Sequence, residues 1–375
     1  MVSRSAHADD IAMKGEGYYS LATKGAKDVI DGAAPLVESA LDAMASEGHL
    51  QNTQRPFCMA DMGCADGGTS LAMVGAALTK VQALVPKRPL TMVYSDQTFN
   101  DYNALFRIVH GHTTIESHLP RIEGLHVFAS ATSFYQQALP AGSLDLGFSA
   151  TAMHWLSRKP MDISNHVHAT GAQGAELAAF ADQGRRDWET ILQHRAAELA
   201  PGGRLVLVNF CRDEAGRYLG NTSGKNMFSI LNDLWVGSMD DGTITSDEYR
   251  AMTLPQYYKD LEEFTAPLQN RDNAIAGAGL RLEEAFTRVV PCPFAKEFAE
   301  GGGKDPTEFA KSYIPTIRSW NESIFFAGLS PARPREERQE IIDDYYGRYE
   351  QLVREAPQQH RMDYVHAYLV IRKEA

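Results

Sequence analysis

The sequence predicts an α/β fold: a doubly wound, Rossmann-like sheet with a mostly helical cap, within one domain spanning residues 1–375. Two observations carry this. From Arg55 to Phe210, short β-rich runs alternate with helical patterns across glycine turns, the rhythm of parallel βαβ units. Three long stretches, residues 158–181, 212–273 and 298–357, break that rhythm, and they are too long to be connecting loops in a compact domain.

The elements follow in order. RPFCMADMG reads as a buried strand ending at Asp61, and GGTSLAMVGAALTKVQALV as a helix opening at its glycines. PLTMVYSD is a second strand ending at Asp96, followed by the helix NDYNALFRIVHG. LHVFASAT and GSLDLGFSAT are the third and fourth strands. DWETILQHRAAELAPGGRLVLVNF reads as a helix, a Pro-Gly-Gly turn and a fifth strand, and DYVHAYLVIRK as a last strand with its own alternation. The core is therefore expected over about residues 50–157, 182–211, 274–297 and 358–375. The three interrupting stretches form the cap, and an N-terminal segment, residues 10–35, closes the site.

Composition narrows the function. The 375 residues carry a formal net charge of −12, which argues against nucleic acid as a partner. No apolar run approaches the roughly 20 residues that span a bilayer, and the N-terminus lacks a signal peptide's apolar stretch. Cys58, Cys64, Cys211 and Cys292 show neither a metal spacing nor a dense disulfide pattern. A reducing, cytoplasmic setting without a membrane partner is expected.

MADMGCADGGTS carries Asp61-x-Gly63-x-x-x-Gly67 at a strand-to-helix turn, where glycines let the backbone approach a ligand. A P-loop needs Gly-Lys-Ser/Thr, and no lysine follows the glycine turn until Lys80. The strict G-x-G-x-x-G of a dinucleotide site is absent. An acidic strand end with looser glycines suits S-adenosylmethionine, whose amino-acid end is a zwitterion. Asp96, at the end of the second strand on the same sheet edge, suits a ribose diol, or else caps the next helix. SATAMHWLS places His154 and Trp155 just past the fourth strand, on that edge too.

The order of these motifs resembles the SABATH family of S-adenosylmethionine-dependent methyltransferases. The resemblance rests on ADMGCADGGTS, FNDYNALF, TSFYQQALPAGSLDLGFSATAMHWLSRKP and GTITSDEYRAMTLPQYY, and runs in unbroken order from Tyr18 to Lys373. It implies a cofactor, S-adenosyl-L-methionine, held by Asp61, Gly63 and Cys64 in the turn, Asp96 and Gln97 at the ribose, and Ser133 and Phe134 at the adenine. Tyr19 and Thr23 join from the N-terminal segment, and Thr69 stands where the family has an asparagine. His154 and Trp155 match the family's substrate-clamping pair.

Departures are as informative. The family has a glutamine at the position of Ala26 that helps hold the substrate carboxylate, and Lys24 or Lys27 is the charged donor expected in its place. Thr151 replaces a substrate-facing tyrosine. Met252 and Thr253 replace the Phe-Asn of a magnesium site, so no metal is expected. Trp235 either faces the pocket from the cap or packs within it. His166 and His168 form an H-x-H inside the cap that reads as an exposed loop ahead of a metal site, and Arg335 to Arg338 reads as a solvated face.

The expected activity is methyl esterification of a small-molecule carboxylic acid, with His154 and Trp155 orienting the carboxylate and a homodimer as the family's common assembly. N- or O-methylation of a heterocycle or phenol is the nearest rival. A non-catalytic S-adenosylmethionine-binding relative comes from a different class, and a nicotinamide dehydrogenase stands third.

Overall fold

The computed structural model describes residue 20 and residues 23–51, 55–222, 224–269, 273–303 and 305–374. Helix α1 (Lys24–Ser46) buries Val29, Ile30, Ala33, Val37, Ala40, Leu41 and Met44, a helical-period stripe, against the sheet. Strand β1 (Phe57–Met62) is buried along its whole length, as a central parallel strand requires. It is followed by α2 (Leu71–Leu84), β2 (Leu90–Asp96) and α3 (Tyr102–Val109), which Asp101 caps by accepting from the Ala104 N–H at 3.0 Å. Next come the edge strand β3 (Leu125–Ala131), the buried β4 (Leu144–Ala150), α4 (Gly174–Glu198) and β5 (Leu199–Phe210). The chain continues through α5 (Met227–Asp240), α6 (Ser246–Ala251), α7 (Leu261–Gln269), α8 (Ala274–Gly277) and β6 (Leu280–Val290). It closes with α9 (Pro293–Glu300), α10 (Pro306–Gly328), α11 (Arg335–Glu355) and β7 (Tyr364–Lys373).

The seven strands are ordered β3-β2-β1-β4-β5-β7-β6. β1 to β5 pair in parallel, and β7 runs antiparallel between β5 and β6. The order reverses between β1 and β4, and ligands of open α/β sheets bind at the carboxyl ends flanking such a switch point. The two ends are tied there by the Ser149 hydroxyl donating to the Met62 carbonyl at 2.7 Å.

The architecture is the one expected from the sequence, with local corrections. Helix α2 opens at Leu71, because the glycines before it are spent on turns with positive φ at Gly63 and Gly67. The Pro-Gly-Gly lies inside β5 as an irregularity opposite Leu144 and Leu146, where a Cβ on Gly203 would come within 2.9 Å of the Asp145 carbonyl. The expected boundary between residues 181 and 182 falls within α4, one uninterrupted helix. β7 shows no alternation, since neighbours cover both of its faces and its first eight residues are buried. β6 has no counterpart in the sequence reading, as its charged, half-exposed edge lacks a clean period of two.

Helices α5, α6, α10 and α11 pack on one another around Trp235, Phe325 and Tyr345, all fully buried. No helix among the described residues is long and apolar enough to cross a membrane.

Candidate active site

The turn after β1 is shaped by close approach. Gly63 sits at φ +78°, donates its N–H to the Ser95 carbonyl at 2.8 Å, and leaves no room for a Cβ, which would overlap the Ala152 methyl. Ala65 also has positive φ, +49°, and is held there by donating its N–H to Asp96 Oδ2 at 2.7 Å. The other Asp96 oxygen accepts from the Gln97 N–H at 2.7 Å. Burial raises the Asp96 carboxyl above the usual range, against those two hydrogen bonds. Asp61 accepts from the Ser70 hydroxyl at 2.6 Å, and burial, helped by the Asp96 charge, pushes it up to about 7. Burial, then the Asp96 and Asp61 charges, likewise keep the Cys64 thiol protonated.

Two carboxylates on one apolar edge favour a cationic ligand. Gln97 Oε1 is buried without a partner, an acceptor awaiting a donor. Phe134, 9 % exposed, borders the space above Gly63, and Ser133 precedes it. The donor set and the glycine cradle fit S-adenosylmethionine: carboxylates for its ammonium and ribose hydroxyls, an aromatic face for its adenine. Thr69 is buried in the same turn.

The N-terminal segment reaches this turn through a contact absent from the sequence reading. Asp66 accepts from the Ser20 N–H at 3.0 Å and from the Ser20 hydroxyl, and Gly68 beside it has room for no side chain because Ser20 occupies the place. Tyr19 lies outside the described residues.

Past β4 the chain folds into a narrow cleft with a cavity volume of about 30 Å3, lined by Thr23, Thr151, His154, Trp155, Phe210, Leu219, Gln256, Tyr258, Trp320 and Tyr364. Thr151 adopts φ +57°, uncommon for a β-branched residue, and is fixed by donating its N–H to the Val208 carbonyl at 2.9 Å. Thr23, expected at the cofactor, is buried and lines this cleft beside Thr151. Trp155 is 8 % exposed, and its indole N–H donates to no described residue. His154 packs against Trp155 at 5.5 Å and edge-on to Phe210 at 4.8 Å, with Nδ1 buried and unpartnered. Burial, reinforced by His366 and Lys259, holds His154 well below the usual histidine value, so its ring is neutral. His366, on β7 against Phe210 at 4.1 Å, is pushed down to about 3 by burial alone.

Several expected residues lie elsewhere. Lys27 pairs with Asp31 one turn along the exposed face of α1, and Lys24 with Glu297 at 3.1 Å, so neither ammonium reaches the cleft. Trp235 packs edge-on to Phe325 at 5.1 Å and Tyr345 at 5.3 Å inside the helical layer and does not line the cleft. His168 is fully buried and stacked on Phe228 at 3.9 Å, with His166 half-buried beside it, so the expected exposed loop is packed core. Arg338 lies over the Phe326 ring at 4.3 Å instead of standing free in solvent. Gln256, Tyr258, Trp320 and Tyr364 were not singled out in the sequence. The first two fall within a block whose order was noted, whereas Trp320 and Tyr364 carry no local signal.

A family model described as "SAM dependent carboxyl methyltransferase" matches residues 8–374. Loganic acid O-methyltransferase of Catharanthus roseus is 27 % identical over 262 residues, covering 66 % of this chain and 68 % of that protein. Methyltransferase LUC1 of a Fusarium species is 28 % identical, covering 69 % and 67 %. Gibberellic acid methyltransferase 2 of Arabidopsis thaliana is 23 % identical over 345 residues, covering 85 % and 82 %. Among solved structures, a loganic acid methyltransferase with SAH superposes with a TM-score of 0.74 at 21 % identity, covering 97 % of this chain and 99 % of that one, a likeness of fold.

Proposed function

The chain belongs to the S-adenosylmethionine-dependent carboxyl methyltransferases, the SABATH family, and from that premise we propose how its site selects and holds an acid. It is an enzyme that forms methyl esters of small-molecule carboxylic acids. Its substrate is a compact monocarboxylic acid with a largely apolar, ring-bearing body, packed among Trp155, Phe210, Tyr258, Trp320 and Tyr364. The observation that carries this reading is the Trp155 indole set among aromatic rings in a cleft whose described lining holds no lysine or arginine.

S-adenosylmethionine supplies a methyl group on a sulfonium, open to in-line displacement by a nucleophile about 3 Å away. A carboxylate is ionised at neutral pH and needs no base. The chain's work is to strip water from the carboxylate and aim one oxygen while a donor holds the other. Trp155 supplies a neutral donor, which orients the carboxylate without quenching its nucleophilicity as a cation would. Neutral His154 packs the indole in place. Its depressed pKa makes it a poor general base, which weighs against a phenol as substrate.

The turn residues Asp61, Gly63, Cys64 and Thr69, with Asp96, Gln97, Ser133 and Phe134, hold the cofactor. Asp66 anchors the N-terminal segment to this turn at Ser20. The helical layer of α5, α6, α10 and α11 caps the cleft, with Trp320 as its contribution. Residence in the cytoplasm is supported by four unpaired, buried cysteines. A homodimer completes the proposal, and light scattering on the purified protein tests it.

The experiment is transfer of labelled methyl from S-adenosylmethionine to a panel containing benzoate, indole-3-acetate, aliphatic monoacids and dicarboxylic acids. Base-labile label on an aromatic or cyclic monoacid is expected. Base-stable label, or label only on dicarboxylic acids, contradicts the proposal.

A further inference from the structure

Gln256 is placed beside Trp155 by the backbone. The Leu156 N–H donates to the Pro255 carbonyl at 2.8 Å, the Tyr257 N–H donates to the His154 carbonyl at 3.1 Å, and Trp155 and Gln256 face each other as an antiparallel pair. Directly opposed residues in such a pair project from the same face with their Cβ atoms about 5 Å apart. Both side chains accordingly line the cleft.

The Gln256 amide is half satisfied. Its oxygen accepts from the Tyr258 hydroxyl at 3.3 Å, whereas Nε2, on a residue with no exposed surface, has no partner. With its oxygen on the Tyr258 hydroxyl, the two N–H donors of Nε2 are left for an acceptor in the cleft that the residue lines. An unpaired buried amide donor is destabilising, so a ligand acceptor at this point has a standing advantage.

We infer that Gln256 Nε2 and Trp155 Nε1 form a two-donor clamp for the substrate carboxylate, with Gln256 determining specificity for the acid over its neutral analogues. This rests on the ester-forming reading above. The clamp replaces the cation that Lys24 and Lys27 do not deliver, and Ala26, buried on α1, offers no donor of its own. Two neutral donors bind an anion tightly enough to hold it and loosely enough to leave it nucleophilic. The methyl ester that leaves carries no charge and binds less well, which aids its release.

The test uses the full chain, the panel acid that turns over fastest, and the primary amide of that acid as a competitive inhibitor. Gln256→Leu is expected to raise KM on the order of ten- to a hundredfold, the worth of a hydrogen bond to a charged group, while kcat changes far less. SAH affinity and melting temperature stay at wild-type values. The isosteric Gln256→Glu, assayed at pH 8, raises KM further but leaves amide inhibition within about threefold, and it carries the test if the leucine variant fails to fold. Unchanged KM in both variants overturns the inference. So does a parallel loss of acid binding, amide binding and SAH affinity, which marks a structural role through Tyr258. If no panel acid is methylated, the ester reading falls and the clamp with it, whereas an acid methylated at unchanged KM removes the clamp alone.

Discussion

Gly63→Ala tests whether the cofactor turn and the substrate floor are one mechanical unit. Alanine at φ +78° carries left-handed strain of about 1–2 kcal/mol. Its Cβ also overlaps the Ala152 methyl, so one backbone segment must yield by on the order of 1 Å, an overpacking of about 1–3 kcal/mol. Neither segment yields freely, because Gly63 is tied to Ser95 at 2.8 Å and Thr151 to Val208 at 2.9 Å. Destabilisation of about 2–5 kcal/mol is expected, read as a melting temperature lower by roughly 3–6 °C. Because the displaced segment leads into His154 and Trp155, a shift of that size lowers kcat/KM on the order of a hundredfold. Adding Ala152→Gly removes the overlap, leaving Phe134 Cε1 at 3.7 Å and the residue-152 Cα at 3.9 Å, both ordinary contacts. The double variant therefore recovers the packing part and keeps the strain. Calorimetry for SAH affinity, thermal melts and initial rates on all three variants decide it. A Gly63→Ala enzyme with wild-type melting temperature, SAH affinity and rate refutes the reasoning.

Further expectations can be checked directly. Trp155→Phe keeps the ring and deletes its donor, so kcat/KM is expected to fall roughly ten- to a hundredfold with little loss of stability, and a wild-type rate removes the indole from the clamp. At saturating cofactor and acid, kcat is expected to stay flat from pH 6 to 8, because His154 is neutral and the substrate is ionised throughout; a tenfold rise per pH unit in that window points to a titrating base or phenol. Lys27→Ala leaves KM for the acid unchanged, since its ammonium is bound to Asp31 on the surface, and a rise above fivefold places that charge in the site after all. His366, lowered from 6.5 to about 3 when folded, lends stability that is complete above pH 6.5 and lost as pH falls from there toward 3. The loss from pH 7 to 5 is about 2 kcal/mol, so urea midpoints of His366→Gln fall less over that interval than those of the wild type, and identical falls contradict the assignment.

The sheet and its ligand edge were legible because β1 and β4 are buried on both faces, which gives continuous apolar runs, and because Asp61, Asp96 and Thr151 stand at strand ends. β6 was not, since an edge strand with charged, half-exposed residues has no signature of burial. The turn residues and the His154–Trp155 pair lie within one contiguous half of the chain, where motif spacing maps onto space. The rest of the cleft converges from Thr23, Gln256, Trp320 and Tyr364, positions that only tertiary packing unites. The charge expected from Lys27 failed for a local reason. Its neighbours Ala26, Val29 and Ile30 take the buried stripe of α1, which leaves Lys27 on the opposite face with Asp31 one turn on. His166 and His168 looked polar enough for solvent, yet Phe228, 60 positions further along the chain, supplies a ring for His168 to stack on.

The central claim is that a carboxylate oxygen, held by neutral donors, accepts the methyl group. Mass and NMR identification of the product formed from the preferred panel acid tests it most directly, together with release of labelled methanol on mild alkali. A methyl ester, saponified with full loss of label, is the result expected. Methyl on nitrogen, carbon or a phenolic oxygen, stable to alkali, contradicts it.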